Sequence, residues 1–187
     1  MSGTFVAVVG PSGVGKDSVI GYAKERLDAA GRVVFVRRVV TRQADDGSED
    51  HDSMDVAEFE KAERSGAFAL NWDAHGLRYG LPVALENDIA EGRVVVANLS
   101  RGVIPALLER YRDAVVVSVT AEREVIAERL ANRGRETLET IARRLQRSVV
   151  DRLPASTVVI DNSGDLAVAG EQFVRLLDDA ARLVERA

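Results

Sequence analysis

Short apolar runs alternate along this chain with longer stretches in which apolar residues recur at helical spacing. The runs are rich in valine and too short for helices, so they predict buried strands. Strands are predicted at residues 4–9, 33–40, 94–98, 114–119 and 157–161. Helices are predicted at residues 16–30, 82–91, 103–111, 122–132, 138–152 and 166–186. Strands that alternate with helices in this way are typical of an α/β fold with a parallel sheet.

The segment at residues 41–80 interrupts that rhythm. Residues 41–53 are polar and predict an exposed loop, and Asp55 with Glu58 forms a capping-box pattern for a helix that Gly66 ends. Short strands are predicted at residues 67–73 and 77–80, around a turn. We therefore predict a single domain of 187 residues that carries a small α+β insert.

The composition excludes several kinds of site. The chain has no cysteine and only two histidines, His51 and His75, which excludes disulfides, thiol catalysis and a multi-histidine metal centre. A net charge of −5 argues against broad nucleic-acid binding. No apolar run approaches the ~20 residues of a membrane helix, and the N-terminus lacks an export signal. We expect a cytoplasmic protein that contacts neither membrane nor nucleic acid.

Arginine dominates the basic residues, since only Lys16, Lys24 and Lys61 of the 25 are lysines. Arginine suits bidentate contacts to phosphate or carboxylate, whereas a genome-wide codon bias would produce the same excess. Both explanations stay open, but the scarcity of lysine draws attention to where Lys16 lies.

Residues 10–16 (GPSGVGK) match the phosphate-binding pattern G-x-x-x-x-G-K. The pattern lies between a predicted strand and a predicted helix, which is the context it needs. Glycines let backbone N–H groups converge on phosphate oxygens, the helix directs its positive end at the same anion, and Lys16 supplies a mobile charge for the β- and γ-phosphates.

One position departs from that pattern. The residue after the lysine is usually serine or threonine, whose hydroxyl binds Mg²⁺, but here it is Asp17, followed by Ser18. The Asp17 carboxylate is either an acid that favours the positive end of the helix or a ligand of Mg²⁺, directly or through water. The sequence leaves both open.

With these motifs the chain resembles the guanylate-kinase-like branch of P-loop kinases over nearly its full length. The resemblance is carried by residues 10–17 (GPSGVGKD), 41–42 (TR), 75–80 (HGLRYG), 129–136 (RLANRGRE) and 159–162 (VIDN). It implies a P-loop nucleoside-monophosphate-kinase fold with a five-stranded parallel sheet, an acceptor-binding insert and a helical lid at about residues 129–147. It also implies that Asn162 lies beside the adenine.

The departures from guanylate kinases concern the acceptor. Asp45 occupies the position of a second phosphate-binding arginine, residues 69–72 hold no acid to read guanine, Leu81 replaces a serine or threonine, and residues 97–101 (ANLSR) replace an L-D-I-D motif. A pocket selects a nucleobase through polar groups, and those groups are missing.

These variants resemble the ribose 1,5-bisphosphate phosphokinase family of phosphonate catabolism. The shared stretches are residues 10–18, 49–51 (EDH), 72–80, 98–101 (NLSR) and 132–136 (NRGRE). The resemblance implies transfer of the γ-phosphoryl group of ATP, with Mg²⁺, to ribose 1,5-bisphosphate, giving 5-phosphoribosyl 1-diphosphate.

The same resemblance implies the site residues. ATP would contact Gly10, Pro11, Ser12, Gly13, Val14, Gly15, Lys16, Asp17, Ser18 and Asn162. The acceptor phosphates would contact Arg38, Arg42, Arg78 and Arg101, and its hydroxyls would meet Glu49, His51, Tyr79, Asn98 and Ser100. Each arginine could instead be a solvated surface residue, and Trp72 is either a platform or part of the core.

The lid would supply further charge. Arg129, Arg133 and Arg135 would reach the transferring phosphoryl group when the lid closes, with Lys16 as the fourth catalytic residue. Salt bridges to neighbouring glutamates are the alternative for each arginine.

Two other functions stay open. One is phosphorylation of guanylate or another nucleoside monophosphate, and the other is a non-catalytic guanylate-kinase-like binding module. The intact phosphate loop argues against the second.

Overall fold

A computed structural model describes residues 3–27, 31–42, 51–132 and 153–186. The strands are β1 (Thr4–Val9), β2 (Val33–Phe35), β3 (Arg38–Val40), β4 (His51–Ser53), β5 (Phe68–Ala74), β6 (Leu77–Pro82), β7 (Val94–Asn98), β8 (Val115–Thr120) and β9 (Val158–Asp161). The helices are α1 (Lys16–Leu27), α2 (Val56–Arg64), α3 (Leu85–Ala90), α4 (Ile104–Arg110), α5 (Arg123–Asn132) and α6 (Leu166–Arg186), with a 3₁₀ turn at Arg101–Val103. The helix predicted at residues 138–152 lies outside the described residues.

The main sheet has five parallel strands in the order β2-β7-β1-β8-β9. All five residues of β7 are buried, because helices cover both faces of the sheet. Successive residues of β1 enter opposite layers: Val6 and Val8 pack with α1 and α6, whereas Phe5, Ala7 and Val9 pack with α3 and α4. The predicted α/β fold with a five-stranded parallel sheet is confirmed.

The strand predicted at residues 33–40 is two strands in two sheets. β2 pairs with β7 in the main sheet, and β3 belongs to a second sheet of order β4-β3-β6-β5. The chain changes sheets at Val36 and Arg37, because β3 pairs antiparallel with β6 rather than with β7. A continuous run of mostly β-branched residues gives no sign of such a change of partner.

The second sheet corrects two further predictions. His51–Ser53 forms β4, parallel to β3, instead of ending an exposed loop. Pro82 ends β6 instead of opening a helix, and α3 begins at Leu85. Proline is tolerated at the end of a strand because the missing N–H costs little there.

The local signals around α2 hold. The Asp55 side chain accepts a hydrogen bond from the Glu58 N–H at 2.7 Å, and the Glu58 carboxylate accepts from the Asp55 N–H at 3.1 Å. Gly66 follows the helix with a positive φ of 73°. Across the described ranges, no helix combines the length and apolar character that a membrane span requires.

Candidate functional site

The loop between β1 and α1 has the conformation that its glycines predict. Gly13 and Gly15 have φ values of 88° and 86°, a backbone conformation that residues with a side chain rarely adopt. A Cβ on Gly10 would lie 2.3 Å from the Val119 carbonyl oxygen, and one on Gly15 would lie 2.5 Å from Asn162 Nδ2. Both positions therefore require glycine, and the loop keeps the open backbone surface that a phosphate chain would occupy.

Lys16 is folded back over this loop. Its Nζ donates hydrogen bonds to the carbonyl oxygens of Gly10 at 2.9 Å and Pro11 at 3.1 Å. The ammonium therefore lies at the start of α1, where the positive end of the helix also favours an anion. Ser12 and Ser18 are exposed, whereas the Val14 side chain is fully buried in the core.

Two distant residues support the loop at the Val14 carbonyl oxygen. It accepts hydrogen bonds from Asn162 Nδ2 at 2.7 Å and from Arg129 Nη1 at 3.3 Å. Asn162 is 2% exposed and supports the loop through this contact, and its predicted place beside the adenine stays a prediction. Arg129 is brought from α5 to the loop, whereas Arg133 and Arg135 lie outside the described residues.

A cleft lies next to the loop, between α1 and the β2–β3 segment. Its walls contain Asp17, Ile20, Gly21, Lys24, Phe35, Val36, Arg37, Arg38, Val96 and Asn98. Three of these side chains are cationic and one is acidic. Arg38 is 8% exposed, so its charge is held inside the protein rather than at the surface. The cleft is suited to an anion that lies beside the phosphate loop.

Asp17 joins the loop to the floor of the cleft. Its Oδ1 accepts a hydrogen bond of 2.7 Å from Nδ2 of Asn98, the last residue of β7. This contact is a role that neither sequence interpretation of Asp17 included. The two residues are 81 positions apart, so the sequence carries no sign of their pairing.

Aromatic residues connect the cleft to the second sheet. The Arg38 guanidinium lies 5.5 Å from the centre of the Tyr79 ring, and that ring stacks on Trp72 with centroids 5.4 Å apart. Trp72 Nε1 donates a 2.9 Å hydrogen bond to Ser100 Oγ, just beyond β7. Tyr79 and Ser100 are thus brought to one side of the cleft, and Trp72 bridges the two sheets.

Arg78 is surrounded by acidic side chains of α2 and β5. Its guanidinium binds both carboxylate oxygens of Glu63 at 3.0 Å, pairs with Asp73 at 3.3 Å and lies over the Phe59 ring. Burial lowers the pKa of Arg78, but the contacts with Glu63 and Asp73 outweigh this and raise it. The predicted contact of Arg78 with an acceptor phosphate would have to compete with these two carboxylates.

The other predicted acceptor residues are not among the described residues that line the cleft. His51 is 7% exposed within β4, beside Arg38, so its predicted position in a polar loop is wrong. Arg42 and Arg101 are half-buried and follow β3 and Ser100, and neither lines the cleft. Glu49 lies outside the described residues.

Sequence reasoning missed Lys24 and Arg37 as cleft residues. Lys24 follows Asp17 by seven positions on α1, with Gly21 between them, and this spacing places all three on one face of the helix. The opposite face buries Val19 and Ala23 in the core. That spacing and the rarity of lysine were signals that could have identified Lys24.

The described residues contain no group of three or more histidine, aspartate or glutamate side chains arranged to hold a metal ion. Asp17 is the one predicted metal ligand, and its carboxylate faces Asn98. A divalent ion at this loop would therefore depend on phosphate oxygens for most of its coordination, as Mg²⁺ commonly does in phosphoryl-transfer sites.

Comparisons with known proteins bear on the family and on the fold. Residues 6–147 match the family described as AAA domain. The ribose 1,5-bisphosphate phosphokinase of Chelativorans sp. (strain BNC1) is 55% identical over 96% of this chain and 87% of that relative. The protein of the same name from Brucella melitensis biotype 2 (strain ATCC 23457) is 49% identical over 96% of this chain and 94% of the relative. A crystal structure of guanylate kinase from Anaplasma phagocytophilum superposes with a TM-score of 0.72 and 20% identity, covering 95% of this chain and 86% of that one, and shows the same fold.

Proposed function

This chain belongs to the ribose 1,5-bisphosphate phosphokinase family, and we propose that it transfers the γ-phosphoryl group of ATP to ribose 1,5-bisphosphate, giving 5-phospho-α-D-ribose 1-diphosphate in phosphonate catabolism. The observation that carries the proposal is the cation-lined cleft that shares Asp17 with the phosphate loop. An acceptor in this cleft lies beside the donor phosphates.

The donor side has the features that a nucleoside triphosphate needs. The glycines let the loop backbone direct its N–H groups at phosphate oxygens, and Lys16 lies over the loop. On binding ATP, the Lys16 ammonium exchanges the Gly10 and Pro11 carbonyl oxygens for oxygens of the β- and γ-phosphates. Mg²⁺ bound with ATP would neutralise charge on the phosphates, and Asp17, the acid that follows Lys16, is the residue that would hold it.

The acceptor side suits a compound with two phosphates and no base. Lys24 and Arg38 provide positive charge along the cleft, whereas the Arg37 guanidinium pairs with Asp52 at 3.0 Å. Asp17 is the one carboxylate among the described residues that line the cleft. Asp17 is held by Asn98 beside the phosphate loop, and the described walls provide no second acid for the edge of a purine. This arrangement favours a sugar bisphosphate over a nucleotide.

The reaction needs no nucleophile from the protein. An oxygen of the acceptor 1-phosphate attacks the γ-phosphorus, the bond to the β,γ-bridging oxygen breaks, and ADP leaves with that electron pair. The protein positions the two phosphates and stabilises the charge on the transferring group. Arg129 is proposed to contribute from α5, and its contact with the Val14 carbonyl oxygen at 3.3 Å supports this role. Arg133 and Arg135 are proposed to join it.

A panel of acceptors tests the proposal. The purified protein is assayed for ADP release with ATP, Mg²⁺ and either ribose 1,5-bisphosphate or GMP, and the product is identified by mass. We expect kcat/KM for the sugar bisphosphate to exceed that for GMP by at least about 100-fold. Faster turnover of GMP would identify a nucleoside monophosphate kinase, and failure to bind ATP would identify a binding module; either result overturns the proposal.

A further inference from the structure

Asn98 lies at the floor of the acceptor cleft with an unusual side-chain environment. It is 7% exposed, at the carboxyl end of β7, and its neighbour across the ladder is Val8 of β1. Ligands of open α/β sheets bind beyond this end of the strands. A polar amide buried there needs hydrogen-bond partners at both its nitrogen and its oxygen.

Asp17 determines which end of the amide faces the loop. An ionised carboxylate can only accept hydrogen bonds, so the partner 2.7 Å from Asp17 Oδ1 is the Asn98 nitrogen. The amide oxygen must then lie on the other side. Asn98 Oδ1 is buried, and it has no hydrogen-bond partner among the residues that the structure describes. A residue that lines the cleft therefore carries a buried amide oxygen, oriented by Asp17, that can accept a hydrogen bond from a donor that reaches it.

The chemistry of this oxygen selects its partner. Phosphate oxygens are acceptors and pair with the cations of the cleft, such as Lys24 and Arg38. A hydroxyl group can donate to an amide oxygen. We propose that Asp17 is a positioning residue, which holds Asn98 so that Asn98 Oδ1 accepts a hydrogen bond from a ribose hydroxyl. Acceptors that lack this hydroxyl are then disfavoured. This inference rests on the proposed function.

The same argument explains why an acid stands where serine or threonine is usual. A hydroxyl at position 17 could either donate to the amide oxygen or accept from the amide nitrogen, so both orientations of Asn98 would be stable. The Asp17 carboxylate permits only one of them. The substitution replaces a hydroxyl on the phosphate loop with a group that orients a residue of the acceptor cleft.

The test compares acceptors within each variant. Ribose 1,5-bisphosphate is assayed beside its 2-deoxy and 3-deoxy analogues at saturating ATP, and the preference is the ratio of kcat/KM values. We expect the parent enzyme to prefer the ribose compound over at least one analogue by roughly tenfold. Because the preference is a ratio for one preparation, partial unfolding of a variant does not change it.

Three variants separate orientation from other roles of Asp17. Asp17→Asn keeps the size of the side chain but allows both orientations of Asn98, so the preference should fall to within about twofold of unity. Asn98→Leu removes the amide and should have the same effect. In the exchange variant D17N/N98D, the new amide on the loop donates to the new carboxylate at the end of β7. The second oxygen of that carboxylate again accepts from the hydroxyl, so the preference should return.

The outcomes are distinct. A parent enzyme that turns over ribose 1,5-bisphosphate but keeps its preference in Asp17→Asn overturns the inference alone. A shift in the Mg²⁺ midpoint and in KM for ATP that D17N/N98D does not reverse also overturns it, because Asp17 would then act through the metal. A parent enzyme without activity on ribose 1,5-bisphosphate overturns the proposed function itself.

Discussion

The three lysines occupy three different environments. Lys16 lies over the phosphate loop, Lys24 lines the acceptor cleft, and Lys61 is exposed on α2. An ammonium is a compact, mobile charge, whereas a guanidinium is a rigid fork. The lysines therefore provide a natural series in which the same substitution removes the same group from donor, acceptor and surface positions.

Alanine at each lysine should separate the two substrates. Lys16→Ala should lower kcat/KM by at least about 1000-fold, because it removes charge stabilisation at the transferring phosphoryl group. Lys24→Ala should raise KM for the acceptor by about tenfold while KM for ATP stays within about twofold. Lys61→Ala is the matched control and should resemble the parent enzyme. Equal losses of activity in all three variants would contradict the assignment.

Single residues were predictable where the motif itself demands a conformation. Gly10, Gly15 and Lys16 follow from the requirements of a phosphate loop and lie where the pattern places them. Asn162 and Arg78 could not be assigned in this way. Asn162 contacts the carbonyl oxygen of Val14, which is far away in the chain, and Arg78 pairs with Glu63, which belongs to no motif. Only the fold brings these residues into contact.

At the level of elements, the hairpin between β5 and β6 explains the H-G pair of the stretch at residues 75–80. His75 and Gly76 form its two-residue loop, with φ values of 54° and 75°. Two successive positive φ values are typical of the type I′ turn that suits the twist of a hairpin. The H-G pair is therefore a conformational requirement of the turn.

Substitutions at His75 should act on stability only. Asparagine tolerates a left-handed conformation, so His75→Asn should leave both stability and kcat/KM near those of the parent. His75→Val should lower the free energy of unfolding by about 1–2 kcal/mol, since a β-branched residue is strained at positive φ. Urea denaturation and steady-state kinetics measure the two quantities. Loss of acceptor turnover in a stable His75→Asn protein would show that the histidine contacts substrate.

The phosphate loop should be equally sensitive at Gly15. In Gly15→Ala the new Cβ meets Asn162 Nδ2 at 2.5 Å and the φ of 86° becomes strained. We expect KM for ATP to rise at least about tenfold, because the loop backbone must move from its binding conformation. Gly164→Ala is the control, since a Cβ there has no neighbour within 4 Å. Unchanged ATP affinity in Gly15→Ala would contradict this description of the loop.

Elements were predicted well where one signal decides them. The capping box of α2 and the full extent of α6 at Leu166–Arg186 agree with the pattern. β4 was missed because its three residues, His51–Ser53, have polar side chains and form a strand only by pairing with β3. Tertiary pairing of this kind overrides local propensity.

For the whole molecule, contacts encircle the acceptor cleft and join the two sheets. Asp17 and Asn98 link α1 to β7, and Trp72 links the second sheet to Ser100 just beyond β7. Tyr79 completes the connection, because its ring stacks on Trp72 and lies beside the guanidinium of Arg38, a residue of the cleft. Binding of an acceptor to Arg38 should therefore change the environment of Trp72, which is linked to Arg38 through Tyr79.

Trp72 is the only tryptophan of the chain, so its fluorescence reports on this connection. Titration with ribose 1,5-bisphosphate should change its emission in a saturable manner, because the environment of the indole depends on Arg38 and Tyr79. In Lys24→Ala the midpoint should move to about tenfold higher concentration. Emission that is unchanged at acceptor concentrations well above KM would contradict this coupling between the cleft and the second sheet.

The fold of the whole molecule was predictable because alternation of strands and helices leaves few arrangements. The position of the acceptor cleft was not. It depends on the change of sheet at Val36 and Arg37, which brings Arg38 opposite Lys24 of α1. No periodic pattern marks that change.

The central claim is that the phosphate loop donates to a sugar phosphate in the adjacent cleft. Incubation with ATP labelled with ³²P at the γ-position and with ribose 1,5-bisphosphate tests it most directly. All transferred label should lie in the terminal phosphoryl group of the 1-diphosphate, and Lys16→Ala should transfer none above background. Label that appears only in inorganic phosphate or in a nucleotide would contradict the claim.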